Sequence, residues 1–108
     1  ETGQIEGGVL MGLGYALTED FPLKDGVPQA KYGTLGLMRA PQIPDIHAIY
    51  VEKEKLLPFA YGAKGIGEIA TIPTAPAAQG AHYAMDHVLR TSLPMKDTYY
   101  SKKQKAVK

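Results

Sequence analysis

The stretch Gln4-Ile5-Glu6-Gly7-Gly8-Val9-Leu10-Met11-Gly12-Leu13-Gly14-Tyr15-Ala16-Leu17-Thr18-Glu19 sets the terms of the fold. Ile5, Val9, Leu13 and Leu17 recur every four residues and Leu10 widens the stripe, so the spacing predicts a helix over about 4–19. Gln4, Gly8 and Gly12 also lie four apart, on a different face. An interior glycine costs a helix about 1 kcal/mol relative to alanine. Gly7, Gly8, Gly12 and Gly14 therefore call for a reason, and close packing against another backbone or a bulky cofactor supplies one. Gly12-Leu13-Gly14 lacks the third glycine of a dinucleotide fingerprint and follows no strand, so that reading is rejected.

Outward from this helix, the elements predict an α+β fold with two main helices and a few short strands. Asp25-Gly26 is the strongest hairpin signal, with Pro22 and Pro28 confining the flanking strands to short or edge pairings. Residues 33–44 read as irregular, punctuated by Pro41 and Pro44. Asp45 to Lys53 alternates, with Ile46, Ala48 and Tyr50 on one face and Ile49 and Val51 on the other, and predicts a substantially covered strand. Residues 54–60 read as a connection. A second helix is expected near 75–90, with Thr74 as N-cap and Pro76 in its first turn. Ala77, Ala81, Ala84, Met85 and Val88 form its expected core stripe.

The chain has 108 residues, 44% of them hydrophobic, with 12 Gly and 8 Pro. One modest core is the most it can build. The formal net charge of +1 gives no electrostatic case for nucleic acid or an anionic membrane. There are 0 cysteines, which removes disulfides, Fe–S ligation and thiolate chemistry from this chain and fits a cytoplasmic location. Every apolar run is broken short of the ~20 residues a membrane helix needs. The lysine-rich segment 102–108 reads as a solvated, frayed end.

The chemistry concentrates in Gly62-Ala63-Lys64-Gly65-Ile66-Gly67-Glu68. Such a loop lets main-chain N–H groups approach a ligand closely, and Glu68 is placed to serve as a base. The competing reading is a turn before a helix, with Glu68 favoured there by the helix dipole. His82 and His87 have the wrong spacing for one-face metal ligation, and His47 has no acidic companions in a ligand pattern, so no metal-binding residue is assigned. Ser92 and Ser101 have no nucleophile context. The loop lacks the Gly-Lys-Ser/Thr ending of a phosphate-binding loop. By elimination, a catalytic residue in this chain is Glu68.

Three blocks resemble the end of the molybdenum-binding subunit in the xanthine dehydrogenase and aldehyde oxidase family. They are Gln4–Gly8 with Gly12–Glu19, then Leu37-Met38-Arg39-Ala40-Pro41-Gln42-Ile43-Pro44-Asp45-Ile46, then Gly62–Glu68, in the family's order over roughly residues 3–90. The resemblance implies a C-terminal piece, residues 1–108, of a molybdopterin-binding domain, or a small subunit that completes one. The parent enzyme would hydroxylate a purine, N-heterocycle or aldehyde with oxygen from water. It further implies Glu68 as general base on the molybdenum-bound hydroxyl and Gln4, Gly65 and Gly67 against the pterin. Expected companions are the rest of that subunit, Fe–S clusters and a flavin domain or subunit. The isolated chain is expected to be inactive and to self-associate over uncovered apolar faces. From Leu93 onward the chain departs from the family's ending, so 93–108 is expected to be a flexible or atypical tail. Two other classes stay open: an anion-binding module using the 62–67 loop amides, and a structural subdomain whose loop shapes an interface.

Overall fold

The computed structural model describes residues 1–53, 55 and 57–101. Its elements are helix α1 (Thr2–Leu17), a hairpin of β1 (Leu23–Lys24) and β2 (Val27–Pro28), and helix α2 (Thr74–Asp86), with 3-10 turns at Ala40–Gln42 and Ala60–Gly62. This is a small α+β architecture. The basic segment 102–108 lies outside the described residues.

Helix α1 ends because Gly14 offers its carbonyl to two main-chain donors at once, Thr18 N at 2.9 Å and Glu19 N at 2.8 Å. The Ala16 carbonyl, which the helix itself leaves without a donor, accepts from Met95 N at 2.7 Å. That bond seats residues 94–98 on the end of α1, and Ala16, Met95 and Thr98 are all buried there. The hairpin pairs Leu23 with Pro28 and Lys24 with Val27. Asp25 (φ 50°) and Gly26 (φ 77°) form its turn. Both central residues are left-handed, as a two-residue hairpin of the primed kind requires, which is why Asp-Gly stands there. Asp20 N then bonds the Leu35 carbonyl at 3.0 Å, bringing the loop back to α1.

Four expectations are corrected. No strand forms over 45–53 among the described residues. The alternation survives in the burial: Ile46 and Ala48 are half-covered, while Ile49 is 85% and Val51 90% exposed. The side chains alternate, but among the described residues no second strand lies beside them to complete a ladder. Helix α2 stops at Asp86, four residues short of the expected end, because His87 adopts a left-handed conformation (φ 58°) and returns its N–H to the Tyr83 carbonyl. The Ala77, Ala81, Ala84, Met85 and Val88 stripe is exposed, and the covered face is Thr74, Ala75, Ala78, Gln79 and His82. On the covered face the Gln79 amide donates to the Arg90 carbonyl at 2.6 Å, tying α2 to the segment that follows it. Thr74 is the first helical residue, not an N-cap. Its hydroxyl donates back to the Ala70 carbonyl at 2.8 Å.

The accessible surface is 9023 Å², against about 5,900 Å² for a folded monomer of this mass. The radius of gyration is 17.2 Å, against about 13 Å for a compact domain of this length. The chain keeps a defined framework and leaves large apolar faces uncovered.

Candidate functional site

The glycine face of α1 is the track on which the site is assembled. Gln4 Nε2 donates to the Gly67 carbonyl at 3.1 Å. One turn further along, the Thr71 hydroxyl donates to the Gly8 carbonyl at 3.1 Å. Another turn on, Thr74 lies over Gly12, where an added Cβ would stand 2.5 Å from the Thr74 Cβ. At Gly8 an added Cβ would come within 2.9 Å of the Ala70 Cβ. The sequence positions 4, 8 and 12 thus receive 67, 70–71 and 74 in order. Two of the five glycines in α1, Gly8 and Gly12, are accounted for by close approach to this segment. An added Cβ at Gly7 meets nothing within 4 Å, and one at Gly14 would meet only the Glu19 side chain.

Glu68 follows directly on the carbonyl that Gln4 holds. It lies in a turn closed by Thr71 N to the Glu68 carbonyl at 3.0 Å. The first turn of α2 contains no acidic residue, so the helix dipole does not account for Glu68. Its carboxylate is exposed and takes no hydrogen bond or ion pair among the described residues. It borders an open cleft of about 350 Å³ with Met11, Tyr15, Thr71, Ile72 and Ala75. The setting is apolar around one acid, with both carboxylate oxygens available to a ligand.

Of the residues singled out from sequence, the structure brings together Gln4, Gly67 and Glu68. No hydrogen bond joins Gly65 to them among the described residues; an added Cβ at Gly65 or Gly67 would meet no atom within 4 Å, so this side of the loop is bare. The lining role of Met11 and Tyr15 and the docking role of Thr71 and Thr74 were not anticipated. The Gly8–Gly12 spacing, matched by Thr71 and Thr74 three apart, was the available signal. Larger clefts lie elsewhere. One of about 530 Å³ runs between α1 and residues 43–47, and one of about 510 Å³ adjoins Thr18, Arg39 and Ser101. Neither presents a single acid in an apolar rim, so volume does not select the site.

The strongest electrostatic contact is structural. Arg90 Nη2 meets Asp86 Oδ2 at 2.6 Å and also donates to the Asp97 carbonyl at 3.0 Å, while Arg90 Nε donates to the Lys96 carbonyl at 3.1 Å. The hydrogen bond from Arg90 is the main reason the Asp86 carboxyl is held down at about 2, and the Val88 N–H adds to it. One guanidinium therefore ties the end of α2 to the segment carrying Met95 and Thr98. Among the described residues no group of three or more His, Cys, Asp or Glu is placed to hold a metal ion, and no helix is long and apolar enough to cross a membrane.

No protein-family profile matches the chain. It is 39% identical over 79 residues, 69% of its length, to a probable xanthine dehydrogenase subunit of Bacillus subtilis (strain 168). It is 30% identical over 94 residues, 86% of its length, to the beta subunit of an isoquinoline 1-oxidoreductase of Brevundimonas diminuta. Both relatives are oxidoreductase subunits. The chain spans only 10% of the first and 11% of the second. Its sequence relationship is therefore to one small region of such subunits.

Proposed function

We propose that the chain is one wall of the catalytic site of a molybdenum hydroxylase, oxidising a purine, N-heterocycle or aldehyde with water as the oxygen source. The observation that carries this reading is the Gln4–Gly67 hydrogen bond at 3.1 Å. It joins two of the three blocks that resemble the family and leaves Glu68 at the mouth of an open apolar cleft.

The residues present fit a pterin-type cofactor. The bare backbone around Gly65 and Gly67 admits a flat group, and the Gln4 amide keeps an acceptor oxygen beside it, suiting mixed donors and acceptors. Gln4, Gly65 and Gly67 would hold that group. When bound, a molybdenum centre supplies Lewis acidity and accepts two electrons. Glu68 takes up the proton lost by the water-derived oxygen as it attacks the substrate carbon. A base in that position contributes about 10²–10⁴ in rate. Met11, Tyr15 and Ile72 line the approach and keep the carboxylate in apolar surroundings. The remainder of the molybdenum subunit, Fe–S domains and a flavin domain or subunit are the proposed partners, carrying electrons away from a site this chain only completes.

The test is Glu68→Gln in the complete enzyme. Gln is close to Glu in size but cannot accept a proton, so reduction by saturating substrate should slow about 10²–10⁴-fold. Molybdenum content and reduction by dithionite should stay unchanged. A near-normal rate with full cofactor would sink the reading and leave a structural role. That alternative draws on the large uncovered surface.

A further inference from the structure

We infer that Arg90 is a positioning residue for Glu68, fixing the orientation of α2 and of the strip that leads into it. Arg90 has this role on the reading that Glu68 is the base. One face of α1 is occupied along its length. Gln4, Gly8 and Gly12 receive Gly67, Thr71 and Thr74. The next position in that series is Ala16, which is buried, and its carbonyl accepts from Met95 N at 2.7 Å. The fourth place on the face thus passes from the α2 strip to residues 94–98.

The strip and α2 form one body. Thr71 N donates to the Glu68 carbonyl at 3.0 Å, Thr74 Oγ1 to the Ala70 carbonyl at 2.8 Å, and Ala77 N to the Pro73 carbonyl at 2.9 Å. From Thr74 the helix runs on to Asp86. Among the described residues, the direct hydrogen bonds from this body to α1 come from Gly67 and Thr71, ahead of its first helical residue. Those bonds alone would leave the far end of α2 free to swing.

Arg90 closes that far end, with a side chain only 8% exposed. Its Nη2 meets Asp86 Oδ2 at 2.6 Å and the Asp97 carbonyl at 3.0 Å, and Nε donates to the Lys96 carbonyl at 3.1 Å. Its own carbonyl accepts from Gln79 Nε2 at 2.6 Å. One residue therefore joins two points on α2 to the segment that Met95 seats on α1. Every group in this clasp belongs to the chain itself.

The lever arms decide whether the clasp is felt at Glu68. With Thr74 on Gly12 as pivot, Asp86 lies about 18 Å away along α2, and the Gln4–Gly67 contact about 12 Å away along α1. A swing of about 1 Å at Asp86 then moves Gly67 by about 0.7 Å. Misplacing a reacting group by about 1 Å can cost about 10²-fold in rate. A planar guanidinium holds a carboxylate and two carbonyls in fixed directions, which a lysine ammonium does not.

In the complete enzyme, Arg90→Lys should slow reduction by saturating substrate about tenfold. Molybdenum content and the substrate dissociation constant should hold. Amides of 68–71 should exchange faster, while those of 8–13 in α1 keep wild-type rates. In a Glu68→Gln background, Arg90→Lys should add little to the rate loss, because no base is left to misplace. Should Arg90→Lys fail to accumulate, Asp86→Asn, which keeps the main-chain contacts of Arg90, should give the same pattern at smaller amplitude. Wild-type exchange at 68–71, faster exchange throughout α1, or a full further loss in the Glu68→Gln background would each overturn the inference. A near-normal rate for Glu68→Gln alone would instead overturn the base reading, and exchange at 68–71 tells the two failures apart.

Discussion

Gln4 Nε2 and the Gly67 carbonyl, 63 positions apart in the chain, are hydrogen-bonded at 3.1 Å. This bond pins the residue before Glu68 to the first turns of α1. Its neighbours along the same face, Gly8 with Thr71 and Gly12 with Thr74, make the segment from 67 to 74 a single docked strip.

Loss of the Gln4 donor should loosen that strip. Gln4→Ala should lower stability by about 0.5–1.5 kcal/mol, seen as a lower urea midpoint with unchanged slope. Gln4→Glu should be worse, because an ionised carboxylate cannot donate and would face the Gly67 carbonyl. Faster amide exchange around Gly67 and Thr71 in both variants is the local readout. Unchanged exchange would mean that the bond does not hold the loop.

Two glycines on the same helix should respond oppositely to alanine. Gly12→Ala gains helix propensity but drives a Cβ into the Thr74 Cβ and the Thr71 carbonyl, at 2.5 and 3.0 Å. Overpacking of about 1–3 kcal/mol should outweigh a propensity gain of about 1 kcal/mol. Gly7→Ala meets nothing within 4 Å and should stabilise by up to about 1 kcal/mol. Thermal midpoints moving in the same direction would contradict the packing described for α1.

The Asp86–Arg90 contact should make stability sensitive to acid. Asp86 is held at about 2 in the folded chain, below the ordinary carboxylate value of about 3.9. A depressed carboxyl favours the fold above its unfolded pKa, and that contribution is lost as pH falls through the folded one. The wild-type advantage over Asp86→Asn should therefore be constant above about pH 5 and shrink toward pH 2. Urea midpoints across that range, at low and high salt, measure it. Salt should also diminish it, since the Asp86 side chain is 40% exposed.

Shortening the acid should matter as much as neutralising it. In the complete enzyme, Glu68→Asp withdraws the carboxylate by one methylene and should take it out of hydrogen-bond reach of the reacting oxygen. Reduction of the enzyme by substrate should slow at least about tenfold while cofactor content holds. A rate equal to wild type would show that the position of the carboxylate is unimportant.

Much of the framework was legible because it depends on local rules. The four-residue spacing from Ile5 to Leu17 specifies α1, and Asp25-Gly26 specifies the hairpin through two left-handed backbone positions. Glu68 stood out because a lone acid closes a glycine loop. The 45–53 alternation correctly separated the two faces, yet it could not supply the neighbouring strand that a ladder needs. The stripe on α2 was misassigned because periodicity identifies an apolar face without saying which face finds a partner.

The amino-acid sequence alone determined where helices and the hairpin form, and which residues are candidates for chemistry. These follow from backbone sterics, side-chain period and functional-group type, all of which act over a few neighbouring residues. Only the tertiary structure decided that Gln4, Gly8 and Gly12 receive Gly67, Thr71 and Thr74. It alone decided which face of α2 is covered, and that Met95 closes the end of α1. Those outcomes rest on how closely two backbones can approach. Such closeness is a property of pairs of segments far apart in the chain, and small residues permit it without announcing the partner.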